Sequence, residues 1–431
     1  MKSSSDNKHT EWSFIKDPIF GYLGVSYLEK DIIDTLPVQR LRRIKQLSGA
    51  EYAYPGANHT RFEHSIGVMH LSGEMAKSLN EEGFISDEEI YEVRCAGLLH
   101  DVGHGPFSHN LEPHLIGILG KTHEDFSFDI IVSTEIGDIL SDAGIDKKKV
   151  ASIAVGRLNL ARKPFLDQIV ASALDADKMD YILRDSYHSG AEYGSVDIFR
   201  ILYTISVVDG NLAGNLTSLS ALEAFMMARM FSFKSIYFHK VSRAAQLMIT
   251  RAIDKASDEL ELLKNPSLEE YLSWDDYRLW TKLSEIAQSR ALMDDLHKRN
   301  LLKVAYEWVS HQKDEMFSRI FTTEKVRESV QQEIAEKADL KPENVIIDVP
   351  TLPSIPYRHS IELEPMEIPV FYEEGEKKIG GKLSEYSKVI EVMRGFYGIL
   401  RVYSEKKYRE KVQKAAKKIF GDPTIATSIH F

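Results

Sequence analysis

Apolar residues recur at helical spacing along most of this chain, which predicts a mainly α fold. Ile32 to Leu47 reads as one amphipathic helix, closed by Gly49 and the Pro55-Gly56 pair. In Phe62 to Leu79, Ile66, Met69 and Met75 share an apolar side. Glu88 to His100 is the next helix. It ends at Gly103-His104-Gly105-Pro106, because proline lacks an amide hydrogen and clashes with the preceding turn. Phe165 to Tyr187 and Ser220 to Leu263 carry the same period, and the second is rich in Met, Phe and Ala, as a deeply packed helix would be. Strand signals are sparse. Val207 to Leu216 reads as a hairpin turning at Asp209-Gly210-Asn211, and Asn344 to Val349 and Glu367 to Tyr372 are further strands. The expected organisation is a polar tail over 1–12, a helical body over 13–265, a helical extension over 266–335 and a smaller α+β lobe over 336–431.

Composition narrows the classes. With 43% hydrophobic and 28% charged residues the chain is globular, and no apolar run has the roughly 18–20 residues a membrane span needs. Cys95 is the single cysteine, so neither an internal disulfide nor a thiolate metal cluster is expected. The short polar start has no signal-peptide core, and a cytoplasmic setting is the expectation. A net charge of −11 argues against a dedicated nucleic-acid binder and leaves room only for weak single-strand binding. Two basic stretches, Arg40 to Lys45 and Lys406 to Lys418, read either as solvated helix faces or as part of a pocket for a small polyanion.

The informative residues lie in the helical body. His100-Asp101 ends an apolar run, His64 lies one helix upstream and Asp177 lies further on. Neutral imidazole and carboxylate suit a borderline or hard divalent metal. A lone histidine on a helix is more often a hydrogen-bonded core residue than a ligand. The ordered set His…His-Asp…Asp on apolar segments is stronger, since such segments bury charge only when it is paired or metal-bound. Spacing alone leaves both readings open.

Longer motifs then become specific. His100-Asp101-Val102-Gly103-His104-Gly105-Pro106-Phe107-Ser108-His109 resembles the signature of HD-domain dNTP triphosphohydrolases. So do Asp17-Pro18-Ile19-Phe20-Gly21, Ile44-Lys45-Gln46-Leu47, Pro55-Gly56-Ala57-Asn58-His59-Thr60-Arg61-Phe62-Glu63-His64-Ser65 and Asp177-Lys178-Met179-Asp180-Tyr181. The similarity runs from about Phe14 to about Ala256, with a weaker echo at Leu400-Arg401-Val402-Tyr403, and it is to the HD part only of the branch that carries a sterile alpha motif.

The resemblance implies an HD-domain helical core in which His64, His100, Asp101 and Asp177 hold one divalent transition metal (Fe, Mn, Zn or Ni), with Mg arriving on the nucleotide phosphates. It implies attack at the α-phosphorus of a dNTP, releasing deoxynucleoside and inorganic triphosphate. His109 matches the general acid and His123 a second active-site histidine, while Glu112 stands where the family has an aspartate that orients the acid. Arg61, Lys178 and Arg229 match phosphate contacts, and Tyr181 matches a residue near sugar and phosphates. Gln46, Leu47 and Asp185 match the deoxyribose wall, and Tyr237 a base-side aromatic. Phe238 and Phe233 depart from the family pattern, which leaves base preference open.

Asp34, Gln39 and Arg42 match residues that recognise guanine in an activator site, with Arg200 and Arg401 on its neighbouring parts. Ser13, Lys16 and Glu405 depart from the pattern on the phosphate side. The implied partners are a GTP or dNTP activator and a homodimer or homotetramer. The competing enzyme reading is an HD phosphomonoesterase or phosphodiesterase; the non-enzyme reading is a nucleotide-sensing or single-stranded nucleic-acid-binding module.

Overall fold

Short polar caps set many of the helix starts in this chain, as a computed structural model describes for residues 11–158, 163, 165–312, 323–350, 368–393 and 396–422. A hairpin of β1 (Glu11–Asp17) and β2 (Gly21–Ser26) comes first. Ser26 then opens α1 (Tyr27–Ile33) through a capping box with Glu29. The single helix expected over Ile32 to Leu47 is instead α1, then α2 (Leu36–Arg40) and a 3-10 turn at Leu41–Arg43. Pro37 is the reason: it is tolerated only in a first helical turn, so the chain restarts there.

α3 (Arg61–Glu81) and α4 (Asp87–Leu99) follow the expected spans closely, and Ser86 caps α4 in a box with Glu89. A three-residue turn α5 (Glu112–His114) precedes α6 (His123–Ser133), α7 (Glu135–Asp142) and α8 (Lys147–Ala154). The stretch read as helical from Phe165 holds only a 3-10 turn at Asp167–Ile169 before α9 (Ala176–Ser189). Asp175 breaks it by capping α9, its carboxylate accepting from the Lys178 amide at 2.7 Å.

After α10 (Ile198–Leu202), β3 (Ser206–Val208) and β4 (Asn211–Asn215) form the expected hairpin. The long helix read over Ser220 to Leu263 is split into α11 (Leu219–Ser232), a π turn at Phe233–Tyr237 and α12 (Lys240–Ala256). α13 (Leu268–Leu272), α14 (Asp276–Glu285) and α15 (Ala287–His297) follow. A ten-residue strand, β5 (Lys303–Gln312), then lies inside the stretch read as helical extension. Beyond it come α16 (Glu324–Ala338), β6 (Ile346–Asp348), β7 (Pro369–Glu374) and β8 (Lys377–Lys382). α17 (Leu383–Tyr386), α18 (Lys388–Met393), β9 (Phe396–Ser404) and α19 (Arg409–Phe420) complete the order.

Two sheets organise the C-terminal part. One runs β5-β9-β6 with antiparallel pairing, and α16 and α19 supply apolar side chains to the core beneath it. The other runs β3-β4-β7-β8, so the short hairpin gains two strands from far along the chain, β4 pairing with β7 in parallel. The main core extends from Leu23 through the helices to Tyr403. Among the described residues no helix is long and apolar enough to cross a membrane.

Candidate metal centre

α3 packs against α4 and α9, and the ends of these three helices bring the expected ligands together. His64 lies in the first turn of α3, His100 caps the end of α4 with Asp101 following, and Asp177 lies in the first turn of α9. His64, His100 and Asp101 each place a ligand atom within 4.8 Å of the others. An Asp177 carboxylate oxygen stands 3.0 Å from His64 Nε2 and 3.8 Å from His100 Nε2.

The rings are oriented from behind. His64 Nδ1 faces Asp180 Oδ2 at 2.7 Å, and His100 Nδ1 faces the Gly97 carbonyl at 2.8 Å. Both partners are acceptors, so each Nδ1 donates and each Nε2 is turned to the cluster. Both Nε2 atoms are buried and make no hydrogen bond. Burial opposes a charged His64, yet Asp177 and Asp180 outweigh it and push the ring up to about 10. The pocket therefore calls for positive charge between its carboxylates, and two imidazole Nε2 atoms facing two carboxylates fit a divalent cation.

Asp180 is itself held by a fork from Arg184 at 2.8 Å on each oxygen, and Arg184 reaches Asp17 at 2.9 Å. All three are buried. Their role was missed from sequence, although Asp17 and Asp180 lie in the quoted motifs. Gly67 admits them, since a Cβ there would fall 1.8 Å from Asp180 Oδ1.

Asp101 is bound by Arg61, which also donates to Ser108 Oγ at 2.8 Å. Burial raises the Asp101 carboxyl, but Arg61, His100 and His104 overcome that and hold it well below the usual range. Arg61, expected at phosphate, is buried in this pairing. Asp101 Oδ1 is also 3.3 Å from His104 Nε2, and His104 stacks on His123 with centroids 4.0 Å apart. Glu112 joins the two expected catalytic histidines: it accepts from His109 Nδ1 at 3.0 Å and from His123 Nδ1. Burial lowers His123, but the Glu112 carboxylate wins and raises it; the two histidines in turn hold Glu112 far below the carboxylate range despite its burial. His109 is the open member, its side chain 64% exposed.

Arg40 corrects the reading of Arg40 to Lys45 as a solvated face. Its guanidinium is fully buried and donates to the carbonyls of Trp274 at 2.7 Å and His104 at 2.8 Å. With Tyr271, whose hydroxyl donates to the Gly103 carbonyl at 2.7 Å, it fixes the glycine-rich break after Asp101.

On the nucleoside side, Tyr237 donates to Asp185 Oδ2 at 2.6 Å, and its ring meets that of Tyr181 edge-on at 6.2 Å. Gln46 and Leu47 are half-buried on the strand-like segment before α3. Lys178 is buried against Asp175 at 2.7 Å, and buried Arg229 lies close enough to act on the Tyr181 hydroxyl. Of the expected activator residues, Arg42 donates to Gln39 Oε1 at 2.9 Å and feels the charge of Asp34. Arg200 and Arg401 lie on other elements: Arg200 donates to the Thr217 carbonyl, and Arg401 is buried on Glu307 and the Phe238 carbonyl.

The fold and this centre define an HD-type protein. The family model described as HD domain matches residues 61–185, and that of the HD associated region matches residues 196–428. The chain belongs to this HD-domain family. It is 36% identical over 295 residues to an uncharacterized protein of Methanocaldococcus jannaschii, covering 67% of this chain and 58% of that one. It is 32% identical over 343 residues to the human deoxynucleoside triphosphate triphosphohydrolase SAMHD1, covering 68% of this chain and 55% of that one. The chain thus spans little more than half the length of these two curated relatives. A crystal structure of a hypothetical protein from Aquifex aeolicus matches with a TM-score of 0.76 at 26% identity, covering 94% of this chain and 100% of that one.

Proposed function

We propose that this chain is a metal-dependent phosphohydrolase that cleaves dNTPs at the α-phosphorus, releasing deoxynucleoside and inorganic triphosphate. One observation carries it: His64, His100, Asp101 and Asp177 converge beside a histidine pair bridged by Glu112. A divalent ion held there (Fe, Mn, Zn or Ni) would supply hydroxide near neutral pH and neutralise phosphate oxygens. The exposed His109, oriented by Glu112, is the group that protonates the leaving 5′-oxygen, which is too poor an alkoxide to depart alone. His123 backs it through the shared carboxylate. Arg229 and Lys178 add positive charge for the phosphates, with Mg as their companion ion, and Tyr181 meets them near the sugar.

The named activity of the human relative supports the substrate class. The same reading includes a GTP or dNTP activator at the surface of Asp34, Gln39 and Arg42, between subunits of a dimer or tetramer. The support is local, in the Gln39–Arg42 pairing next to Asp34.

The test is to incubate the metal-replete protein with each dNTP, with and without GTP, and separate products by charge. Inorganic triphosphate is the expected product, and His100→Ala or Asp101→Ala abolishes its release. Orthophosphate from a monophosphate, or retained activity in both variants, sinks the assignment. Unchanged turnover and oligomeric state on adding GTP or dNTPs remove the activator.

A further inference from the structure

Phe107 and Ser108 stand just before His109 with φ of 54° and 46°, in the left-handed region. Among the described residues they are the one consecutive non-glycine pair there, and Phe107 is bulky, unlike the Asp and Asn residues that tolerate such angles. These angles cost free energy and persist only where neighbouring groups over-determine them. The pair also sets where His109 projects, since it turns the chain from Pro106 into the 3-10 turn at Ser108–Asn110.

What holds this turn comes from far along the chain. The Phe107 amide donates to Asp276 Oδ1 at 2.7 Å, and Asp276 Oδ2 accepts from the Lys45 amide at 2.9 Å. Asp276 opens α14 and is buried, and one turn further along that helix the Trp280 ring lies 6.2 Å from the ring of Phe107. Burial pushes the Asp276 carboxyl up to about 6, although the two amides and the charges of Lys45 and Arg61 oppose it. At pH 8 it is ionised, and both oxygens accept. Its own place is fixed from the same side: Arg40 donates to the Trp274 carbonyl at 2.7 Å, and Arg43 pairs with Asp275 at 2.5 Å. Lys45 in turn bridges to Thr60, which caps α3. One carboxylate thus ties the His109 turn to the start of the helix that carries His64.

We propose that Asp276 is a positioning residue for the general acid: by binding the Phe107 and Lys45 amides together it holds the strained turn that aims His109 at the leaving oxygen. This rests on the phosphohydrolase reading above. In that reaction the bond from phosphorus to the 5′-oxygen breaks with its electron pair going to that oxygen, which takes a proton from His109. His109 Nδ1 is turned to Glu112, so the proton comes from Nε2. Glu112 orients the ring, and Asp276 sets the backbone from which the ring projects. Nothing in the sequence around Asp276 marks this role, because its two partners lie 169 and 231 residues away.

The test compares a dNTP with its analogue carrying sulfur in place of the bridging 5′-oxygen, on the metal-loaded full chain at pH 8, in wild type, Asp276→Asn and His109→Ala. A thiol has a pKa of about 8.5, so its thiolate leaves without a proton. Asparagine keeps the shape of Asp276 but offers one acceptor and sets N–H groups against the other amide. In Asp276→Asn, kcat on the dNTP falls roughly tenfold to a hundredfold with little change in KM, while kcat on the thio analogue changes far less. His109→Ala shows the same split more deeply. A merely structural role would lower kcat on both substrates alike; an equal loss in Asp276→Asn beside a split in His109→Ala overturns the proposal alone. If Asp276→Asn does not fold, Asp276→Ser must show the split, and an equal loss there overturns it. Should the wild type release no triphosphate, or His109→Ala show no split, the functional reading fails by itself. Asp276 is then judged by hydrogen exchange over residues 105–111: faster exchange in Asp276→Asn than in wild type supports its hold on the turn, and equal exchange overturns it.

Discussion

Glu112 shows how one side chain ties proton chemistry to stability. His109 and His123 together depress it as an acid despite its burial, while its carboxylate raises His123. A depressed carboxylate adds stability that is present above its unfolded pKa of about 4.3 and is lost as pH falls. A raised histidine adds stability that is full below about 6.5 and is lost as pH rises through its folded value. The stability gap between wild type and Glu112→Gln should therefore be widest between roughly pH 4.5 and 6.5 and shrink on either side. Denaturant titrations at pH 3.5, 5.5 and 9 check this, and a gap that does not vary with pH would contradict it. That His64, His100, Asp101 and Asp177 would meet, and that His109 and His123 would share Glu112, was legible in sequence through the resemblance of the long motifs around them, since spacing alone left their role open. Asp180 and Arg184 were not legible as supports, nor was Arg40 as a clamp. A charged residue on a helix shows its inward direction only when its partners, such as Asp17 or the His104 carbonyl, arrive from distant parts of the chain.

At the level of elements, the close approach of α3 and α9 depends on a missing methyl. Gly67→Ala would drive a Cβ into Asp180 and Arg184, which are buried and cannot swing away. It should destabilise by about 1–3 kcal/mol and also weaken metal retention, because Asp180 orients His64. Gly117→Ala, where an added methyl meets nothing within 4 Å, is the control and should stay within about 0.5 kcal/mol. Chemical unfolding with metal analysis on both variants decides it, and equal behaviour would refute the packing argument. Helices α3 and α4 were read nearly end to end because strong caps and glycines bound them. The π turn at Phe233–Tyr237 was invisible, since no glycine or proline lies between Ser220 and Leu263. That turn matters, for it delivers Tyr237 to Asp185. β5 was missed in turn because its ladder partner, β9, lies about ninety residues away.

For the molecule as a whole, a divalent cation bound only by the native state would stabilise it by about 2.7 kcal/mol at a hundred times its Kd. Chelation should lower the melting temperature and added Mn restore it, with His100→Ala insensitive to both. Identical melting with chelator and with Mn would count against a metal at this centre. The sheet β3-β4-β7-β8 carries a different consequence. Residues 369–382 pair with a hairpin at 206–215, and Lys378 also reaches Glu82 just beyond α3. A fragment cut to end near residue 345 would leave the β4 edge without its partner at Gly214 and Asn215, open to strands from other molecules. A fragment that ends there should then aggregate, so the useful minimal protein reaches past Lys382.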